Sequence, residues 1–98
     1  MRLSVIWSSL SRKQYLLILA YILEEWGEKS AKKFDDEAME MVYTISSMPY
    51  AFQVYNEQKN IRRCVINNNT ILFYQIRKER VFIVGVYDTR MNPDLFLI

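Results

Sequence analysis

The sequence predicts an α+β fold in which an N-terminal strand and a two-helix antiparallel hairpin pack on one face of an antiparallel β-sheet. Three observations predict it. Apolar residues recur at helical spacing through residues 10–45, with one interruption at Gly27. Residues 61–88 form three alternating, β-prone runs separated by two-residue breaks. A short β-prone run, LSVIW at 3–7, precedes the first helix and ends at Ser8-Ser9. At 98 residues the chain makes one domain, residues 1–98, with a single modest core.

Composition narrows the classes. Hydrophobic residues make up 51% of the chain and charged residues 24%, which excludes intrinsic disorder. Cys64 is the only cysteine, so no internal disulfide can form. With no histidine, no conventional metal site is expected, and no small-molecule cofactor is expected either. A lone thiol fits the reducing cytoplasm. The net charge of +2 is unevenly spread: residues 1–60 hold seven Lys/Arg against eight Asp/Glu, and residues 61–98 hold six against three. The mildly basic C-terminal part suggests an anionic partner.

Ser8, Ser9 or Ser11 can cap the first helix, expected over residues 10–26, because a serine hydroxyl accepts from an orphan N–H of the first turn. Leu16, Leu19, Leu23 and Trp26 form a helical stripe, and Tyr15, Ile18 and Ile22 widen it, so burial on more than one side is expected. The apolar run YLLILAYIL at 15–23 is far shorter than the ~20 residues of a membrane span. Glu24, Glu25 and Trp26 then stand where a signal peptide would need small residues. No membrane association is expected. Gly27 ends the helix as a C′ glycine would. Ser30 can cap a second helix, with Ala31, Phe34, Ala38, Met41, Val42 and Ile45 on its apolar face, until Ser46, Ser47 and Pro49 stop it. Residues 50–60 are ambiguous, with room for an extended segment around Phe52 to Tyr55 and a polar loop. Strands follow at 61–67, 70–77 and 80–88. Asn68-Asn69 suits a type I′ turn, and Lys78-Glu79 makes a second tight connection.

Two-residue turns set a register. Cys64 then faces Phe73, Phe73 faces Val84, Tyr74 faces both Arg63 and Ile83, and Thr70 faces Tyr87. Alternation sorts Cys64, Ile66, Ile71, Phe73, Phe82, Val84 and Val86 to one face, which should pack on the hairpin. The other face holds Arg63, Val65, Leu72, Tyr74, Ile76, Ile83, Gly85 and Tyr87, with Thr70 at one end. With both helices used on the first face, the second is an open, amphipathic surface of the kind that binds a partner. Its alternative is one helix on each face.

Strand, hairpin carrying YILEEWGEKSA (21–31), proline after the second helix, IRRC-x-I-x-x-x-x-x-L-x-Y-x-I, and a last strand ending VYDTR-x-NP: over about the whole chain this order resembles the RelE/ParE family of toxins from bacterial type II toxin–antitoxin modules. The resemblance implies neutralisation by a cognate antitoxin wrapped over the toxin surface, consistent with the spare apolar face. It also implies one of two targets. RelE-like members cut mRNA on the ribosome; ParE-like members poison DNA gyrase and lack the nuclease residues. A third reading is an inactive binding module of the same fold.

Cutting RNA without a metal requires a base, an acid and cations for the phosphorane. Where some nuclease members place His-Tyr, this chain has Asp88-Thr89, and where they keep an arginine it has Thr70-Ile71. These departures favour the gyrase branch. The remaining catalytic candidates, should the chain be a metal-independent endoribonuclease, are Arg63, Tyr87 and Arg90. The predicted antitoxin- or target-binding residues are Arg63, Leu72, Tyr74, Ile83, Tyr87 and Arg90. Each has a plainer alternative. Arg63 can stack on Tyr74, Tyr87 can be an ordinary amphipathic sheet residue, and Arg62 can sit at a solvated rim. Cys64 reads as a small buried hydrophobe. Asp88 and Thr89 can end the strand through local backbone bonds, with Arg90 held by Asp88 and a turn at Asn92-Pro93.

Overall fold

The computed structural model describes residues 2–91. Seven elements follow in order: β1 (Ser4–Trp7), α1 (Ser9–Trp26), α2 (Glu28–Ser47), β2 (Val54–Asn56), β3 (Ile61–Asn67), β4 (Thr70–Arg77) and β5 (Arg80–Asp88). They build one five-stranded sheet in the order β1-β5-β4-β3-β2. β2 to β5 pair antiparallel, while β1 joins the β5 edge parallel. The helical hairpin covers one face, as the sequence predicts. The turn expected at Asn92-Pro93 lies outside the described residues.

Helix α1 starts where Ser8 Oγ accepts from Ser11 N at 3.0 Å. Its buried side is partly polar, with Ser11 and Gln14 beside Tyr15, Ile18 and Ile22. These polar groups complete the outer edge of β5, which β1 is too short to cover. Ser8 N and Ser11 Oγ both donate to Ile83 O at 3.0 Å, and Gln14 Oε1 accepts from Val86 N at 2.9 Å. The stripe predicted through Leu16, Leu23 and Trp26 is instead on the solvent side. A helix apolar almost all round carries little phase information, and the two buried polar residues decide which side faces the sheet.

Gly27 alone joins the helices. Its N–H donates to Leu23 O at 2.9 Å, its carbonyl accepts from Ala31 N at 3.1 Å, and its φ of +92° suits only glycine without strain. Gly27 also occupies the N-cap position of α2, so the cap predicted at Ser30 is corrected: Ser30 lies inside the first turns. Helix α2 buries Ala31, Phe34, Ala38 and Ile45. It ends near Ser46, whose carbonyl accepts from Leu3 N at 2.9 Å and ties the hairpin to β1.

Both predicted two-residue turns are present, pairing Asn67 with Thr70 and Arg77 with Arg80. Their chemistry differs from expectation. Within these two turns the residues with positive φ are Lys78 (50°) and Glu79 (60°), not Asn68-Asn69. The asparagine turn is organised by Asn67 Oδ1, which accepts from Asn69 N at 2.8 Å and Thr70 N at 3.0 Å.

Two β-bulges then change the register. One falls between Val65 and Asn67 in β3, and the other opposite Phe73 and Tyr74, where β5 carries the extra residue Val84. Each shifts the pairing by one residue. Cys64 therefore faces Leu72, Arg63 faces Phe73, Phe73 faces Gly85, and Thr70 faces Asp88. Only Tyr74 opposite Ile83 keeps its predicted partner. A one-residue shift moves side chains to the other face. Leu72, Tyr74 and Ile83, predicted on the open surface, are fully buried against the hairpin with Ile18, Ala38, Ile45, Val81 and Val86. Ile71, Phe73 and Phe82 move the opposite way.

Candidate functional site

Strand alternation from the observed register places Ile6 of β1, Arg80, Phe82, Gly85 and Tyr87 of β5, Ile71, Phe73, Gln75 and Arg77 of β4, and Arg63 and Val65 of β3 on the face without helices. No Asp or Glu occupies a strand position on this face among the described residues. The face is aromatic and cationic. Tyr55 lies against Phe73 with ring centroids 4.8 Å apart, leaving Phe73 nearly buried while Tyr55 stays exposed. The Arg77 guanidinium sits 4.4 Å above the Phe82 ring. Val65 is 51% exposed. Arg63 is half-buried, and its guanidinium makes no hydrogen bond, ion pair or ring contact with any described residue. Stacking of Arg63 on Tyr74, the plainer alternative for this residue, does not occur, since the two lie on opposite faces.

Of the residues predicted for the site, Arg63 and Tyr87 share this face. Tyr74 serves the core. Its hydroxyl donates to Pro49 O at 2.6 Å and its ring meets Phe52 edge-on, which anchors the segment leading into β2. Burial raises its pKa to about 12. Arg62 braces the same segment, donating to Phe52 O at 2.7 Å. Cys64 is buried, and burial alone pushes its thiol up to about 11, so it is not a nucleophile.

Arg90 stands apart at the end of β5. Asp88 is fully buried there. It accepts from Arg90 Nε at 3.0 Å, Arg90 Nη2 at 2.6 Å, Arg90 N at 2.9 Å and Thr70 Oγ1 at 3.0 Å. Burial on its own would raise the Asp88 pKa; the bonds from Arg90 and Thr70 outweigh it and hold the carboxyl below its ordinary value. The same bonds raise Arg90 further. The guanidinium lies 5.2 Å from the Trp26 ring centroid and 5.9 Å from that of Tyr21, so it bridges the strand end to the last turns of α1. The acid, hydroxyl and guanidinium that close β5 thus form one structural knot.

Sequence reasoning missed Tyr55, Phe73, Arg77, Arg80 and Phe82 as members of the open face. The signal available was Gly85, since glycine inside a strand pattern marks a bulge. Chemically, the face offers cations and π-surfaces without a carboxylate or imidazole to move a proton. No group of His, Cys, Asp and Glu among the described residues could hold a metal ion. No helix among them is long and apolar enough to cross a membrane.

Comparison with solved structures returns the same architecture. The chromosomal ParDE toxin–antitoxin system from P. aeruginosa superposes with a TM-score of 0.76 at 12% identity, covering 89% of this chain and 96% of that one. The YoeB dimer from Staphylococcus aureus gives 0.61 at 16% identity over 89% and 97% of the two chains. The E. coli DinJ-YafQ toxin–antitoxin complex gives 0.61 at 10% identity over 92% and 96%. No curated protein sequence matches the chain. The model of the ParE toxin of the type II toxin–antitoxin system parDE matches residues 5–93, nearly the whole sequence, and the chain therefore belongs to the ParE toxin family of type II toxin–antitoxin systems.

Proposed function

We propose that this toxin arrests growth by acting on DNA gyrase in the cytoplasm, and that a cognate antitoxin neutralises it by covering the open sheet face. The observation that carries the first part is the chemistry of that face. Arg63, Arg77 and Arg80 could hold phosphate, but no strand position there supplies a carboxylate or an imidazole, and Arg90 is engaged by a buried carboxylate. A surface of cations and aromatics binds; metal-free RNA cleavage also needs proton transfer. The family match favours the same branch. Two of the structural neighbours are toxin–antitoxin systems, which supports an antitoxin as partner. Arg63 and Tyr87, with Tyr55, Val65 and Phe82, are the residues proposed to meet the antitoxin or the target. An extended antitoxin segment rich in Asp and Glu would complement the three arginines.

Expressing the chain with and without the gene beside it tests the whole reading. Growth arrest relieved by the neighbour gene, a DNA-damage response, and gyrase trapped on cleaved DNA by the purified chain are expected. Shortened transcripts without a DNA response would overturn the gyrase assignment in favour of the ribosome-dependent endonuclease. Absence of any arrest would leave an inactive binding module.

A further inference from the structure

We propose that α1 is the seam of a symmetric homodimer, packed antiparallel on α1 of a second copy. Leu16, Leu17 and Leu23 point away from the sheet and are 55%, 45% and 47% exposed, with exposed Ala20 between them. One row of this face reads Lys13, Leu17, Ala20, Glu24, at steps of four, three and four, with Leu16 and Leu23 along one flank of it. That spacing is the same in both directions. An antiparallel copy related by a two-fold axis between Leu17 and Ala20 sets Lys13 against Glu24 of the second copy and Leu17 against its Ala20, twice over. Opposite charges meet at both ends and a large side chain meets a small one in the middle. A parallel arrangement would set Lys13 on Lys13 and Glu24 on Glu24.

Within one chain these charges cannot satisfy each other. Glu24 stands eleven positions after Lys13, about 16 Å along a helix. Among the described residues neither enters an ion pair or a side-chain hydrogen bond. The face lies on the far side of the hairpin from the sheet's open surface, so dimerisation leaves that surface accessible. The proposal does not depend on which target the toxin has.

Sedimentation of the full chain from low micromolar to sub-millimolar concentration tests it. A concentration-dependent dimer is expected. Lys13→Glu or Glu24→Lys alone turns two attractive contacts into two repulsive ones and should raise the dimer Kd about tenfold or more. The double exchange Lys13→Glu/Glu24→Lys regenerates both pairs and should restore the dimer. Leu17→Glu should abolish it. All three positions are exposed, so circular dichroism and Tm should match wild type and exclude misfolding. A chain monomeric throughout overturns the proposal, as does a dimer indifferent to these changes. Single variants that weaken the dimer while the double exchange does not restore it overturn the antiparallel register. If the chain is monomeric and Leu17→Glu instead loses the antitoxin encoded beside it, the face belongs to the antitoxin and the proposal falls.

Discussion

Replacing Arg90 with alanine isolates the knot at the end of β5. The change removes two side-chain hydrogen bonds to Asp88 and the guanidinium stacked near Trp26 and Tyr21. What remains is a fully buried carboxylate with Thr70 and a backbone N–H as donors. Breaking one side of a buried ion pair costs about 3–5 kcal/mol. The Arg90 side chain is 27% exposed, so solvent already screens part of the attraction; a loss of about 2–3 kcal/mol follows. For a domain of this size that lowers Tm by about 10–20 °C. Asp88→Asn/Arg90→Ala removes the uncompensated charge and should recover more than half of the loss.

The pH dependence fixes the sign. In the wild type the folded-state pKa of Asp88 is depressed, so its contribution is full above the unfolded value of about 4 and fades as pH falls through the folded one. In Arg90→Ala burial dominates and the carboxyl moves up. The stability gap between the two proteins should be widest near neutral pH and close as pH falls below about 4. Urea unfolding across pH measures both trends. A loss under about 0.5 kcal/mol at neutral pH, or a double variant no better than the single one, would refute the ion-pair account. Arg90 would then be free for a direct role at the target, and toxicity lost without stability would show it.

Other expectations follow from single contacts. Lys78→Asn/Glu79→Gly places a preferred type I′ pair where two ordinary residues hold positive φ, and should raise stability by about 1 kcal/mol in thermal melts. Gly27→Ala meets no atom within 4 Å but forces an L-residue to φ +92°, so about 1–2 kcal/mol should be lost through backbone strain alone. Gln14→Leu orphans the buried Val86 N–H and should cost about 1–3 kcal/mol, measured by the same unfolding. Arg63→Ala should leave Tm unchanged, since its guanidinium has no described partner, yet weaken antitoxin or target binding by about 1–2 kcal/mol in calorimetry.

Element types were legible because each rests on local chemistry. Gly27, the Ser8 cap and the two-residue gaps around β4 announce themselves in any window of a few residues. The open face was half legible. Arg63 and Tyr87 were placed on it correctly, while Leu72, Tyr74 and Ile83 were exchanged for Ile71, Phe73 and Phe82. Every strand residue from 71 to 74 is apolar or aromatic, so neither face of β4 declares itself and parity must be carried from a neighbouring strand. A single unmarked bulge at Ile66 breaks that count. Phase in α1 was lost for the same reason, since Leu16 and Ile18 look alike until Ser11 and Gln14 are read as buried polar groups with assigned partners.

Those two polar residues also explain why the second bulge is stable. In an unbroken strand, groups facing one edge recur every second residue. On β5 the groups facing α1 belong to Ile83 and Val86, three residues apart. Ser11 and Gln14 are likewise three apart, nearly one helical turn, and present their side chains to those two positions. The helix thus matches the bulged spacing of the strand and would mismatch a regular one, leaving a buried carbonyl or N–H unpaired. Fixing Val84 as the extra residue in turn sends Gly85 and Tyr87 to the open face and Val86 to the core. The composition of the partner-facing surface is therefore set from behind, by a serine and a glutamine that never reach it.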